Sequence, residues 1–492
     1  MPPWGLQVLV PGAWHTPVLA RGFENYDARV RHFSLAIIGS GSGNVLVPED
    51  PAQGQIALIE AGAFGGTCLL RGCIPSKIFA HTADVAAEIR RAAGFGLAAG
   101  LTRVDWKAIQ DRVFSRIEQV SADGRRGRAE TGHVTLFEGR ARFTGPRELV
   151  VDDRTRISAD RIVVATGSRP VVPPVIAESG VDFRTSDTIM EIERLPASIV
   201  IVGGGYVAAE FAHIFSGLGV AIRMIDMAPG LLGSFDTQIA ERFTTLAKRR
   251  WDVRLSAQIT GVRRDGEAGI AVDLEDGPAV AGDLLLVAAG RQPNTDDLGL
   301  AAAGVARRDD GRIQVDEYGR TTAEGIWSLG DASSPFQLKH VANAEARTLA
   351  HNLAHPGDLH PFPHDWVPAA VFTEPQIATV GARIQDLAGR RPYVAATQAY
   401  RDTAYGWALR DTDGICTLYA DPETGKLLGA HILGYQASLL IQPLVQAAST
   451  GLSVAEMATG QYWIHPALSE VVENALLKLP LSDAALLRRP GP

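Results

Sequence analysis

The stretch Phe64-Gly65-Gly66-Thr67-Cys68-Leu69-Leu70-Arg71-Gly72-Cys73-Ile74-Pro75-Ser76-Lys77 decides how the rest of the chain is read. Cys68 and Cys73 lie five positions apart, ahead of a helical pattern, so both sulfurs are expected in the first turns of one helix. Gly65 and Gly66 let the backbone run close to a flat partner, and Thr67 is the expected N-cap. A helix N-terminus favours a thiolate, and Arg71 sits between the cysteines. At least one sulfur should therefore ionise below the ~8.5 of a free thiol. The spacing alone fits a redox dithiol, a buried thiol pair or half of a metal site. No second C-x2-C completes a zinc site, so no metal is expected.

Upstream, His32-Phe-Ser-Leu-Ala-Ile-Ile-Gly39 is a short apolar run ending in Gly39-Ser-Gly41-Ser-Gly43-Asn44. This reads as strand, turn and helix, the arrangement that brings a dinucleotide pyrophosphate against helix N–H groups. The next strand, Ile56-Ala-Leu-Ile-Glu60, ends in an acid where a ribose would need an acceptor. Asn44 replaces the usual third small residue, which predicts looser helix-to-strand packing.

Downstream, Ile78 to Arg91 and Trp106 to Arg128 are amphipathic helices, Val134–Phe137 and Glu148–Val151 are strands, and Arg161-Ile-Val-Val-Ala-Thr166-Gly167 returns to the first sheet. A second strand-turn-helix unit starts at Ser198-Ile-Val-Ile-Val-Gly203-Gly204-Gly205-Tyr206-Val207-Ala208-Ala209-Glu210, with the G-x-G-x-x-A pattern complete. Its second strand ends in Asp226, which suits the 2′-hydroxyl of NADH and repels a 2′-phosphate. Two such units imply one nucleotide held and one exchanged. Tyr206 is read either as a gate over the nicotinamide pocket or as core. The unit closes at Gly290-Arg291-Gln292-Pro293-Asn294, and Gly325-Ile-Trp-Ser-Leu-Gly330-Asp331 follows. From about Asp365 the pattern changes to strands of a mixed sheet, then helices. Near its end His465-Pro466-Ala-Leu-Ser-Glu470 pairs an imidazole with a carboxylate, on a helix begun by Pro466.

The 492 residues suffice for roughly three domains. With 55 acidic against 47 basic residues the net charge is -8, and no basic stripe points to nucleic acid. Cys416 is the third and last cysteine, a usage that suits a reducing cytoplasm. Residues 1–32 lack the features of a signal peptide and are expected to be a disordered extension. The most apolar segment, Ile199 to Ile222, is interrupted by glycines, Glu210 and His213 and fails as a membrane span.

The dithiol stretch, the two glycine turns and the His465 segment together resemble the flavoprotein pyridine nucleotide-disulfide oxidoreductases. Leu70-Arg71 stands where many members carry Asn-Val. The G-x-G-x-G-N turn and the string Tyr462-Trp-Ile-His-Pro-Ala-Leu468 are most similar to the mycothione reductase branch. The resemblance implies an α/β fold of two Rossmann-like dinucleotide-binding domains plus a C-terminal α+β dimerisation domain. It implies a first FAD-binding part at 33–180, an NAD(P)-binding domain at 181–295, a second FAD-binding part at 296–364 and a dimerisation domain at 365–492. FAD would lie against Gly39, Gly41, Gly43, Asn44, Glu60, Gly66, Thr67, Lys77, Thr166, Gly167, Gly330 and Asp331. NADPH or NADH would lie against Gly203, Gly205, Tyr206, Ala208, Glu210, Asp226, Gly290 and Arg291.

The implied chemistry is reduction of a small-molecule disulfide, mycothione to mycothiol, by NAD(P)H. Cys73 faces the flavin, Cys68 attacks substrate, and Lys77 pairs with Glu210. His465, supported by Glu470, is contributed by the second subunit of a homodimer. Two alternatives are a dihydrolipoamide dehydrogenase using NAD and a non-catalytic flavin-bearing scaffold subunit.

Overall fold

The computed structural model describes residues 30–266 and 269–481. The expected N-terminal extension lies outside them up to residue 29. Its last residues do not belong to an extension, because Arg31 and His32 already pair with the strand Thr155–Val164.

Three sheets organise the chain. The first has the order Val134–Glu138, Ile56–Glu60, Arg31–Ile38, Thr155–Val164, Glu148–Val151, Ala141–Gly145, with Ile326–Ser328 also paired to Thr155–Val164. Its core is parallel, and Glu148–Val151 and Ala141–Gly145 extend it antiparallel. The second is wholly parallel, ordered Asp252–Arg254, Ala221–Ile225, Ser198–Val202, Leu284–Val287, Arg184–Thr185. Every residue of Ser198–Val202 is buried, as expected of a central parallel strand covered on both faces.

The third sheet, ordered Ala369–Val371, Gln376–Gly381, Leu427–Gly434, Ile415–Ala420, Val394–Ala399, is antiparallel at every pairing and not mixed as expected. Three of its four pairings join strands that are consecutive in the chain, which antiparallel neighbours achieve without the long crossover that parallel ones require.

The helix Cys73–Arg91 buries Pro75, Phe79, Ala80, Ala83, Ala86 and Ala87, one stripe at helical spacing. It lies against the helix Tyr206–Gly217 so closely that a Cβ on Gly217 would come within 2.5 Å of the Ala83 Cβ. Contacts Lys77 with Glu210, Asp84 with His213 and Arg90 with the Gly217 carbonyl follow one another along both helices, so the pair runs parallel. Beneath it Phe79, fully buried, stacks on Trp106 at 5.1 Å, and the indole donates to the Ile192 carbonyl at 2.7 Å. This packing joins the dithiol helix to the second nucleotide unit.

Among the described residues no helix is long and apolar enough to cross a membrane.

Phe79→Ala removes the ring at the centre of this joint and should cost about 3–5 kcal/mol of stability in chemical denaturation. A loss below about 1 kcal/mol would contradict a close-packed role for the ring.

Candidate active site

The dithiol segment does not form the single helix expected. A short helix, Gly66–Leu70, carries Cys68, and a second, Cys73–Arg91, begins at Cys73. Gly72, at φ -130° and ψ -119°, breaks the run, and a Cβ there would sit 2.9 Å from the Thr67 carbonyl oxygen. Thr67 is not the N-cap. Gly65 takes that place at φ 115°, so the chain turns two residues earlier and Thr67 lies exposed inside the helix.

The glycine pair approaches another backbone. A Cβ on Gly66, itself at φ +70°, would sit 2.7 Å from the Gly41 Cα. Ser40 fastens the two turns together. Its hydroxyl accepts from the Gly65 N–H at 2.8 Å and donates to Glu60 Oε2 at 2.6 Å, while its own N–H donates to the same oxygen at 2.8 Å.

The turn Gly39–Asn44 leads into one 3-10 turn, Gly43–Leu46, and not into the helix expected after it. Pro48 and Pro51 follow at once and cannot continue a helix. Asn44 does not loosen the packing. Its Oδ1 accepts from Arg128 Nε at 2.7 Å and its carbonyl from Arg128 Nη2 at 3.2 Å, so the turn is tied to the end of the helix Trp106–Glu130.

The charge beside the sulfurs is Lys77, not Arg71, which turns away to Asp187 at 3.7 Å. Hydrogen bonding from Cys68 lowers the Cys73 thiol to about 6, opposed by burial and assisted by the Lys77 ammonium. The same hydrogen bond, burial and the neighbouring negative charge push Cys68 well up. One proton is thus held on Cys68 and donated to a Cys73 thiolate.

Lys77 Nζ donates to both Glu210 oxygens, at 2.9 and 2.6 Å, and lies 4.9 Å from the Phe372 ring centroid. Glu210 is buried and also accepts from the Phe372 N–H at 3.1 Å. Lys339, a further cation that favours ionisation of Cys68, donates to Ser42 Oγ at 2.8 Å.

A cavity of roughly 430 Å³ opens at the C-terminal edge of the second sheet. Gly203, Gly205, Tyr206, Asp226, Gly290 and Arg291 line it. Gly203 is required there, since a Cβ at its φ of +120° would meet the Ala288 carbonyl oxygen at 2.3 Å. No side chain caps the helix Tyr206–Gly217, so its first N–H groups face an anion unopposed. Ala208 is fully buried behind them.

Asp226 accepts from the Ala228 N–H at 2.6 Å through Oδ1, and among the described residues the only cation lining the cavity is Arg291. Tyr206 is not core. It is 37% exposed at the cavity wall, and burial of its hydroxyl raises its pKa while Arg291, Asp331, Glu210 and Cys73 all act on it.

The Thr166-Gly167 and Gly290-Arg291 turns meet. Thr166 Oγ1 donates to the Asn294 carbonyl at 2.8 Å, Asn294 N donates to the Gly167 carbonyl at 2.9 Å, and Arg291 Nε donates to Ser168 Oγ at 2.9 Å. Ser168 Oγ in turn donates to Asp331 at 2.5 Å. The N–H of Gly330 is held by Glu345 Oε2 at 2.7 Å. In the turn after Asp331 the buried Ser334 hydroxyl has no partner among the described residues. That orphan hydroxyl and the bare glycine face at Gly41 and Gly66 fit a large polar cofactor such as FAD. Sequence reasoning missed Ser40, Ser168 and Phe372, whose types alone carry no chemical signal.

His465 and Glu470 are brought together, with Nδ1 and Oε1 2.6 Å apart, but Pro466 does not begin the helix. Glu470 itself is the first residue of Glu470–Leu477. The His465 side chain is 73% exposed, whereas Glu470 is largely buried.

Gly66→Ala should force the two glycine turns apart, at a cost of about 1–3 kcal/mol. The purified variant should melt earlier and carry less flavin by absorbance. Unchanged melting and flavin content would contradict the close approach.

Residues 33–347 match the pyridine nucleotide-disulphide oxidoreductase family, and residues 367–476 match its dimerisation domain. The chain is 48% identical over 458 residues to mycothione reductase of Mycobacterium tuberculosis, an alignment covering 91% of this chain and 99% of the relative. It is 34% identical to glutathione reductase of Burkholderia cepacia, covering 91% and 98%. Identity to dihydrolipoyl dehydrogenase of Halobacterium salinarum is 33%, covering 90% and 95%. Among solved structures, the flavoprotein disulfide reductase RclA of Escherichia coli superposes with a TM-score of 0.81 at 25% identity, covering 90% of this chain and 99% of that one. LpdA of Mycobacterium tuberculosis superposes at 0.79 with 27% identity, covering 91% and 99%. The chain therefore belongs to the pyridine nucleotide-disulphide oxidoreductases, enzymes that use FAD and NAD(P)H, and carries that family's dimerisation domain.

Proposed function

We propose that the chain reduces mycothione to mycothiol, drawing electrons from NADH in preference to NADPH. The observation that carries the substrate is the 48% identity to a mycothione reductase over nearly the whole chain, against 33% to a dihydrolipoyl dehydrogenase. The nicotinamide preference rests on Asp226, a carboxylate at the adenosine end of a cavity whose one lining cation, Arg291, is bound to Ser168.

Residues 33–180 and 296–364 would hold FAD, residues 181–295 the nicotinamide, and residues 365–492, of which 482–492 lie outside the described residues, the partner subunit. Bound FAD supplies the two-electron relay from nicotinamide to the Cys68–Cys73 disulfide.

In the reduced enzyme Lys77 and the Cys68 thiol hold the negative charge on Cys73. His465 of the partner subunit, oriented through Nδ1 by Glu470, takes the proton from Cys68. The Cys68 thiolate attacks the substrate disulfide, forming a mixed disulfide and expelling one thiolate, which leaves with the proton from His465. Cys73 then attacks the Cys68 sulfur, releasing the second thiolate, which takes up a proton from solvent, and restoring the disulfide. Two electrons and two protons are consumed per substrate.

Steady-state assays with a disulfide panel test the substrate. Mycothione should give a kcat/KM about 100-fold above glutathione disulfide or lipoamide. Lipoamide as best substrate would favour a dihydrolipoamide dehydrogenase, and no disulfide-dependent NAD(P)H oxidation would favour the scaffold reading.

Hybrid dimers test the shared site. Cys68→Ser protomers and His465→Ala protomers should each retain flavin and be inactive alone. Refolded together at equal ratio they should recover about a quarter of wild-type turnover, because half the dimers are hybrids with one intact site each. No recovery would mean that the imidazole serves its own chain.

A further inference from the structure

At the far end of the helix Lys339–Ala354, away from Lys339 and the sulfurs, His351, Asp358 and His360 converge with their ligand atoms within 4.8 Å of one another. His351 Nε2 lies 3.3 Å and His360 Nε2 3.6 Å from the same Asp358 oxygen, Oδ2. Tetrahedral ligands at bond lengths of about 2.0–2.1 Å stand roughly 3.4 Å apart, close to these two separations. His351 Nε2 also lies 2.9 Å from the Asp358 carbonyl oxygen, a hydrogen bond that an ion would replace.

The surroundings are built to keep the groups there. Asn352, nearly fully buried, clamps the loop back onto the helix, its Nδ2 donating to the His360 carbonyl and its Oδ1 accepting from the His360 N–H, both at 2.8 Å. The Asp358 N–H donates to the His355 carbonyl at 2.9 Å. The rings of His355 and His360 stack on His351 at 4.6 and 4.1 Å, and the His360 ring, which is exposed, has to turn out of that stack for its in-plane lone pair to meet an ion shared with His351. The helix ends here, and the partial negative charge of its terminal carbonyls favours a cation.

We propose that His351, Asp358 and His360 form a binding site for a divalent transition metal of the zinc, nickel and copper class, with its remaining position open to solvent. Two imidazoles and a single carboxylate suit that class better than calcium or magnesium, which take several oxygens. Sequence reasoning expected no metal, yet the spacing His351-x3-His355-x2-Asp358-x-His360 carries the signal. The site shares no residue with the dithiol centre and does not depend on which disulfide is reduced.

Isothermal titration of the flavin-loaded enzyme with zinc chloride tests this. The enzyme is kept oxidised so that Cys68 and Cys73 are joined and offer no thiolate. One zinc ion should bind per protomer, and His351→Ala and His360→Ala should each weaken binding by at least about tenfold. Flavin content should match wild type in both variants, and metal-free melting in His360→Ala, because His360 is exposed and its backbone carries the Asn352 contacts. Zinc uptake that both variants retain in full would overturn the proposal, as would wild-type enzyme that takes up no zinc at millimolar concentration.

Discussion

The ion pair between Lys77 and Glu210 holds the rest of the site in place. A buried carboxylate is costly unless it is paired and hydrogen-bonded, and Glu210 meets that demand with Lys77 on the dithiol helix and the Phe372 N–H beside the third sheet. Glu210 itself stands on the helix that opens the second nucleotide unit. Removing one partner would strand a charge, at about 3–5 kcal/mol. The arrangement therefore fixes three layers relative to one another and sets an ammonium one turn beyond Cys73. That ammonium adds to the hydrogen bond from Cys68, the larger cause of the charge asymmetry between the two sulfurs.

In the proposed mechanism a single protomer does not complete the chemistry. His465 and Glu470 stand on the unit that matches the dimerisation domain, and two large side chains just before His465 are exposed. Tyr462 is fully exposed, and Ile464 is 75% exposed. The second oxygen of Glu470 is buried without a partner among the described residues. Exposed side chains of this kind mark a surface that another chain covers, and a two-fold partner would bring each imidazole towards the opposite chain.

Much of this was readable from sequence because the signals are local. Strand, glycine turn and acid recur at fixed spacing in Gly39–Glu60 and Gly203–Asp226, and five residues suffice to bring His465 onto Glu470. Where nonlocal packing decides, sequence reading failed. Gly72 breaks the helix that periodicity ran through, Pro48 and Pro51 cut short the helix after Asn44, and Arg71 finds Asp187 far along the chain. Ser40 and Ser168 matter through partners that only the fold supplies. The Lys77–Glu210 contact, spanning 133 residues, was implied by family resemblance alone.

The charge on Cys73 is tested most directly by following thiolate absorbance at 240 nm against pH in the reduced Cys68→Ser enzyme. There the serine hydroxyl can still donate, and buried Cys416, pushed up to about 12, stays silent. The thiolate should appear with a midpoint near the value of about 6 set by the native surroundings and disappear as pH falls through it. Adding Lys77→Met should move the midpoint up by about one unit or more. A midpoint near the ~8.5 of a free thiol, or one that Lys77→Met leaves unmoved, would contradict a thiolate supported by Lys77.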